Sequence, residues 1–161
     1  NVTVVSKEFA TFGFDTGVGN IMLDYCCNKF FDMPYDKDGK IGAEGIVHED
    51  WLNCLLEDEY YFKVPPKTTG REYFTPKYIE NALKSAHLFG IDEPKDIIAT
   101  LTALTAKSIA EAYARFVYPN IDIKETLHNL TGKKVKCVTD EIVEFVDGTK
   151  KRRSFFKTAL I

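Results

Sequence analysis

Apolar residues fall into several distinct periods along the chain. Residues Glu8 to Phe14 crowd aromatic side chains into a stretch suited to a buried strand, and the β-branched run Asn1 to Val5 before it predicts a hairpin or an adjacent strand pair. After Gly19 the spacing changes. Ile21, Met22, Tyr25, Cys26 and Phe30 recur near the helical period, which predicts a helix beginning near Ile21. Trp51, Leu52, Leu55 and Leu56 mark a second helical stretch within His48 to Asp58, with Tyr60, Tyr61 and Phe62 closing it as a packing plug. Thr75-Pro76 is a helix start, a capping hydroxyl followed by proline at the first position, and Gly90 is the stop for a helix through Leu88. The longest pattern runs from Pro94 to Val117. Its apolar positions are broad, and Ala99, Ala103, Ala106 and Ala110 let another helix or a sheet lie close. We expect an α/β unit in which Glu8 to Phe14 is a central strand and the long helix packs across the sheet. Further on, Lys133 to Val138 reads as a strand and Val143 to Val146 as a strand or a turn lead-in. Thr149 to Leu160 reads as a poor helix crowded with cations.

At 161 residues the chain fits one domain and can bury a core, and no apolar run is long enough to cross a bilayer. A net charge of −3 argues against a general nucleic-acid binder, and the basic run Lys150 to Arg153 is short and reads as a solvated face. Cys26, Cys27, Cys54 and Cys137 lack metal-ligand spacing, and nothing resembles a secretory signal, so reduced thiols and a cytoplasmic location are the expectation. On that expectation the sequons at Asn1 and Asn129 are chance matches.

The candidate chemistry centres on FGFDTGVGN, residues Phe12 to Asn20. It joins a strand pattern to a helix pattern through a glycine turn carrying one acid, Asp15. At such a junction backbone N–H groups and the positive end of the helix dipole face outward, Gly17 and Gly19 let a ligand approach the main chain, and phosphate oxygens are the natural guest. A carboxylate there would repel phosphate unless it accepted a proton or held a metal; a simple turn cap is the other reading, and the residues leave both open. In PPKTTGRE, two prolines stiffen the approach to Gly70, which lies between the cations Lys67 and Arg71 beside the hydroxyls of Thr68 and Thr69. The loop can hold an anion, or its cations can simply face solvent. The acids Asp36 and Asp38 in YDKDG suggest a calcium loop, but the further spaced acids and the terminal Glu of such a loop are missing. His48 reads as a surface residue at a helix start.

FDTGVGN, YDKDGKIGAEG, PPKTTGRE and IIATLTALTAKSIAEAY, in that order and spacing, resemble the anhydro-N-acetylmuramic acid kinases and the related levoglucosan kinases. The resemblance is dense from Asn1 to about Val117 and implies the carboxyl-terminal half of a two-lobed kinase about twice as long, with the actin/hexokinase-like, ribonuclease-H-like ATPase fold. It implies ATP and Mg2+ as cofactors, an anhydro sugar as the small-molecule partner, neither nucleic acid nor membrane, and a homodimer as an open option. By resemblance Asp15 is the general base, Gly17, Gly19 and Asn20 belong to the phosphate or nucleotide site, and Lys67, Thr69 and Arg71 to a substrate or phosphate loop. The sequence departs from the family in two places. Between Ile123 and Leu130 it lacks the triple-glycine turn that contacts nucleotide, and Arg152 stands where the family has a Glu on a helix reaching the sugar. Those departures keep a non-catalytic binding or assembly module as the alternative.

Overall fold

The structure, a computed structural model, describes residues 1–5 and 10–120 throughout, together with the backbone of three short strands further on. Strand β1 (Val2–Val4) pairs antiparallel with β2 (Phe12–Phe14), in the register Val2 to Phe14, Thr3 to Gly13 and Val4 to Phe12. Alternation gives the pair two faces. Val2, Val4 and Phe14 are buried on one, while Thr3 and Gly13 lie on the other. The strand expected over 8–14 is shorter than its aromatic content implied: residues 10 and 11 lie outside the ladder, and residues 8 and 9 lie outside the described set. Nor is it central, because among the described residues β2 pairs with β1 alone.

Helix α1 (Ile21–Phe31) follows the glycine turn directly and buries Met22, Cys26 and Cys27. The short helices α2 (Lys40–Ala43), α3 (Glu49–Leu56) and α4 (Glu59–Phe62) come next. The two carboxylate oxygens of Asp36 accept the N–H groups of Ile41 and Gly42, each at 2.9 Å, and so cap the start of α2. On α3 the stripe Trp51, Leu52, Leu55 and Leu56 is buried as its spacing predicts. Trp51 is fully enclosed, and its indole N–H is satisfied by Ser85 Oγ at 3.0 Å. The plug after it is buried only at Tyr60 and Tyr61, for Phe62 is exposed.

Helix α5 (Pro76–Leu88) begins where Thr75 accepts the N–H of Tyr78 at 3.2 Å and stops at Gly90, whose φ of 76° suits glycine. Ile91 closes that stop by donating to the Ala86 carbonyl at 3.0 Å. Helix α6 (Pro94–Ala112) continues through a π-helical turn at Tyr113–Val117. It packs chiefly against other helices, burying Ile97, Ile98, Leu101 and Leu104 in their common core. Only its far end meets the hairpin, where Ala112, Tyr113 and Val117 cluster with Val2, Val4 and Phe14. The long helix therefore crosses the strands at its carboxyl end rather than along its length, because the hairpin is only three residues deep.

Strands β3 (Val135–Val138), β4 (Ile142–Phe145) and β5 (Lys150–Arg152) form an antiparallel meander. The cationic stretch read as a helix over 149–160 is a strand at 150–152, aligned with Ile142, Val143 and Glu144 of β4. Lys and Arg suit a strand at the edge of a sheet, where charge discourages further pairing. Arg152 is thus on a strand and not on a helix. The expected triple-glycine position, between Ile123 and Leu130, lies outside the described residues. No helix among the described residues is long and apolar enough to cross a membrane.

Candidate functional site

The turn after β2 alternates in depth. Thr16 and Val18 are buried, whereas Asp15 and Gly17 are half-buried and Gly19 is exposed. Burial of Thr16 and Val18 fixes the turn on the core.

Asp15 is held at both backbone and side chain. Its N–H donates to the Lys67 carbonyl at 3.1 Å, and its own carbonyl accepts the Tyr60 hydroxyl at 2.9 Å. Burial pushes the Tyr60 phenol up to about 12, so it stays protonated and remains a donor at neutral pH. On the side chain, Oδ2 accepts both the Thr69 N–H at 2.9 Å and the Thr68 hydroxyl at 2.8 Å. Among the described residues nothing donates to Oδ1. The Thr69 N–H, followed by the smaller effect of the Thr68 hydroxyl, outweighs burial and holds the carboxyl below its ordinary value. Asp15 is therefore an ionised carboxylate with one oxygen engaged, and the residue lines a cavity of about 270 Å3 together with Thr3, Gly13, Lys67 and Thr68.

The two glycines of the turn do different things. A Cβ on Gly17 would sit 2.7 Å from Tyr61 Cε1 and 3.2 Å from Ser108 Oγ, so this glycine permits close packing against α4 and α6. The missing side chain of Gly17 thus serves packing on its inner side. Gly19 has φ of 57° and open space beside it, and its carbonyl accepts the Thr105 hydroxyl at 2.9 Å. Asn20 occupies the cap position of α1, but its side chain makes no capping hydrogen bond.

The second loop meets the first. Lys67 offers Asp15 its carbonyl, while its ammonium donates to the Tyr60 carbonyl at 3.2 Å and lies over the rings of Tyr60 and Phe116 at 4.7 and 5.3 Å. Burial brings its pKa below the ordinary lysine value. Thr69 reaches the carboxylate through its backbone, and its hydroxyl is buried with no partner among the described residues. Arg71 is exposed beyond Gly70, the residue whose carbonyl accepts the N–H groups of Tyr73 and Phe74. Two residues escaped the sequence reading. Thr68 supplies the hydroxyl that reaches Asp15, and the only signal for it was the adjacent pair of threonines. Tyr60, read as packing, carries a hydroxyl that fixes the turn. Among the described residues no three His, Cys, Asp or Glu side chains gather to hold a metal ion.

A family model for anhydro-N-acetylmuramic acid kinase matches residues 1–120. The chain is 35% identical to the anhydro-N-acetylmuramic acid kinase of Caldanaerobacter subterraneus subsp. tengcongensis, a match that covers 96% of this chain and 44% of that protein. It is 37% identical to the enzyme of that name from Clostridioides difficile, over 81% of this chain and 36% of the relative. With the Salinibacter ruber enzyme of that name the identity is 41%, over 71% and 28%. The chain thus spans less than half the length of these relatives, and over the part it spans, it belongs to the anhydro-N-acetylmuramic acid kinase family.

Proposed function

We propose that this chain is the carboxyl-terminal lobe of a two-lobed, actin/hexokinase-like kinase that opens 1,6-anhydro-N-acetylmuramic acid with water and phosphorylates its 6-oxygen from MgATP. Water attacks the anomeric carbon, the bond from that carbon to the bridging oxygen breaks, and the freed 6-oxygen takes the γ-phosphoryl group as ADP leaves. Asp15 accepts the proton that the attacking water gives up. The observation that carries this reading is the asymmetric Asp15 carboxylate, with two donors on Oδ2 and, among the described residues, none on Oδ1, on a residue that lines a cavity at a strand-to-helix junction. A general base needs an ionised group with an accessible lone pair, and this one is so arranged.

Gly19 and Asn20 lead into the amino end of α1, where the Asn20 side chain makes no capping bond, which supports a phosphate role for this turn. Gly17 contributes by letting the turn lie against Tyr61. Lys67, Thr69 and Arg71 serve the sugar or phosphate from the second loop, Thr69 through a hydroxyl that has no partner among the described residues. Mg2+ would enter with ATP, held chiefly by the nucleotide rather than by a protein cage, and would supply positive charge for phosphoryl transfer. ATP as substrate suits a cytoplasmic enzyme.

The test is turnover by the full-length protein. Phosphorus NMR with ATP, Mg2+ and 1,6-anhydro-N-acetylmuramic acid is expected to show a 6-phosphate ester, with levoglucosan a poorer substrate. No ester from either sugar would overturn the reading.

A further inference from the structure

We infer that Thr68 is a positioning residue that fixes which oxygen of Asp15 takes the proton. This rests on the reading of Asp15 as the base. The carboxylate can rotate about its Cα–Cβ and Cβ–Cγ bonds, and at an exposed position it would present either oxygen to water. Two donors prevent that. The Thr69 N–H and the Thr68 hydroxyl converge on Oδ2 at 2.9 and 2.8 Å, and they come from adjacent residues of one loop, so they fix the plane of the group as well as one of its atoms. The loop is in turn fixed to Asp15 by the backbone bond from Asp15 N–H to the Lys67 carbonyl. Backbone and side chain therefore form one closed unit, within which Oδ1 is the oxygen left to accept.

The arrangement lowers basicity and improves aim. Hydrogen bonds to a carboxylate stabilise its charged form, so Asp15 is a weaker base than a free aspartate, but it is ionised over a wider range of pH. Correct placement can be worth more than the basicity given up, since a misplacement of about 1 Å can cost about a hundredfold in rate. The Thr68 hydroxyl is exposed, so removing it leaves no buried polar group unpaired and does not threaten the fold. Among the described residues the other charged or titratable groups around the site are the amino group of Asn1, whose charge also lowers the Asp15 carboxyl, Tyr60 from α4, Lys67 from the same loop and, beyond Gly70, Glu72. Burial pushes the Tyr60 phenol up to about 12, away from the acidic limb. Glu72→Gln is the control for the remaining acid.

The experiment compares full-length wild type, Thr68→Val, Thr68→Ser and Asp15→Asn. It measures kcat, KM for ATP and the pH profile, and follows the Asp15 carboxyl carbon by NMR titration. Thr68→Val is expected to lower kcat about tenfold to a hundredfold with KM for ATP little changed. Its acidic limb and the Asp15 titration should both move to higher pH, and Thr68→Ser should restore them. A folded Thr68→Val protein with unchanged kcat and titration, beside an inactive Asp15→Asn, would overturn the role of Thr68 alone. Normal turnover in Asp15→Asn would overturn the base reading, and the positioning role with it.

Discussion

Gly17 and Tyr61, 44 positions apart, are packed so closely that a methyl group on the glycine would stand 2.7 Å from the tyrosine ring. The strand-to-helix turn can lie on α4 only because residue 17 has no side chain. Gly17→Ala should therefore destabilise the fold by about 1–3 kcal/mol, the range for overpacking a filled site. Gly19→Ala has open space, but φ of 57° is unfavourable for alanine and should cost about 1–2 kcal/mol. Tyr61→Leu separates the two mechanisms: it should relieve part of the Gly17→Ala penalty and none of the Gly19→Ala penalty in denaturant unfolding. Equal effects on both would contradict the packing account.

Asp58 joins three segments. Its Oδ1 accepts the Tyr60 N–H at the start of α4 and the Tyr73 hydroxyl, each at 2.8 Å, while Oδ2 accepts the Tyr78 hydroxyl at 2.9 Å. Asp58→Ala removes a helix cap and strands two half-buried phenols, which should cost about 2–4 kcal/mol in thermal or chemical unfolding. Tyr78→Phe removes one donor and should cost about 1 kcal/mol. An Asp58→Ala penalty no larger than that of Tyr78→Phe would show that the three bonds do not act together.

The cysteines should differ in reactivity. Burial pushes the Cys26 thiol up to about 12, and the same cause raises Cys27, whereas Cys54 is exposed. A thiol whose pKa lies far above the solution pH holds almost no thiolate, the species that reacts. Brief alkylation of the native protein near neutral pH, read by peptide mass spectrometry, should mark Cys54 and spare Cys26 and Cys27. In denaturant all three should react. Native labelling of Cys26 at the rate of Cys54 would contradict the burial described for α1.

Much of this arrangement was legible in the sequence where local chemistry decides it. Thr75-Pro76 and Gly90 bound α5 because capping and positive φ are properties of single residues. The α3 stripe follows from a period that only one helical face satisfies. Register and depth of the hairpin were not legible, since aromatic residues over 8–14 do not say where the ladder begins. The cationic strand at 150–152 was missed because strand pairing depends on a partner elsewhere in the chain. At the site, motif order drew attention to Asp15 and the KTTG loop. That Thr68 rather than its neighbour turns its hydroxyl to the acid depends on how the two loops meet.

The most direct test of Asp15 as the base is a comparison of wild type with Asp15→Asn in the full-length kinase, measuring turnover on 1,6-anhydro-N-acetylmuramic acid alongside ATP affinity and thermal stability. Asparagine keeps the size of the side chain and an oxygen for the Thr68 and Thr69 donors, but it accepts no proton from water. Turnover should fall by about a hundredfold to ten-thousandfold, equivalent to roughly 3–5 kcal/mol of barrier, with ATP binding and stability nearly unchanged. Near-normal turnover by a folded Asp15→Asn enzyme would contradict the account.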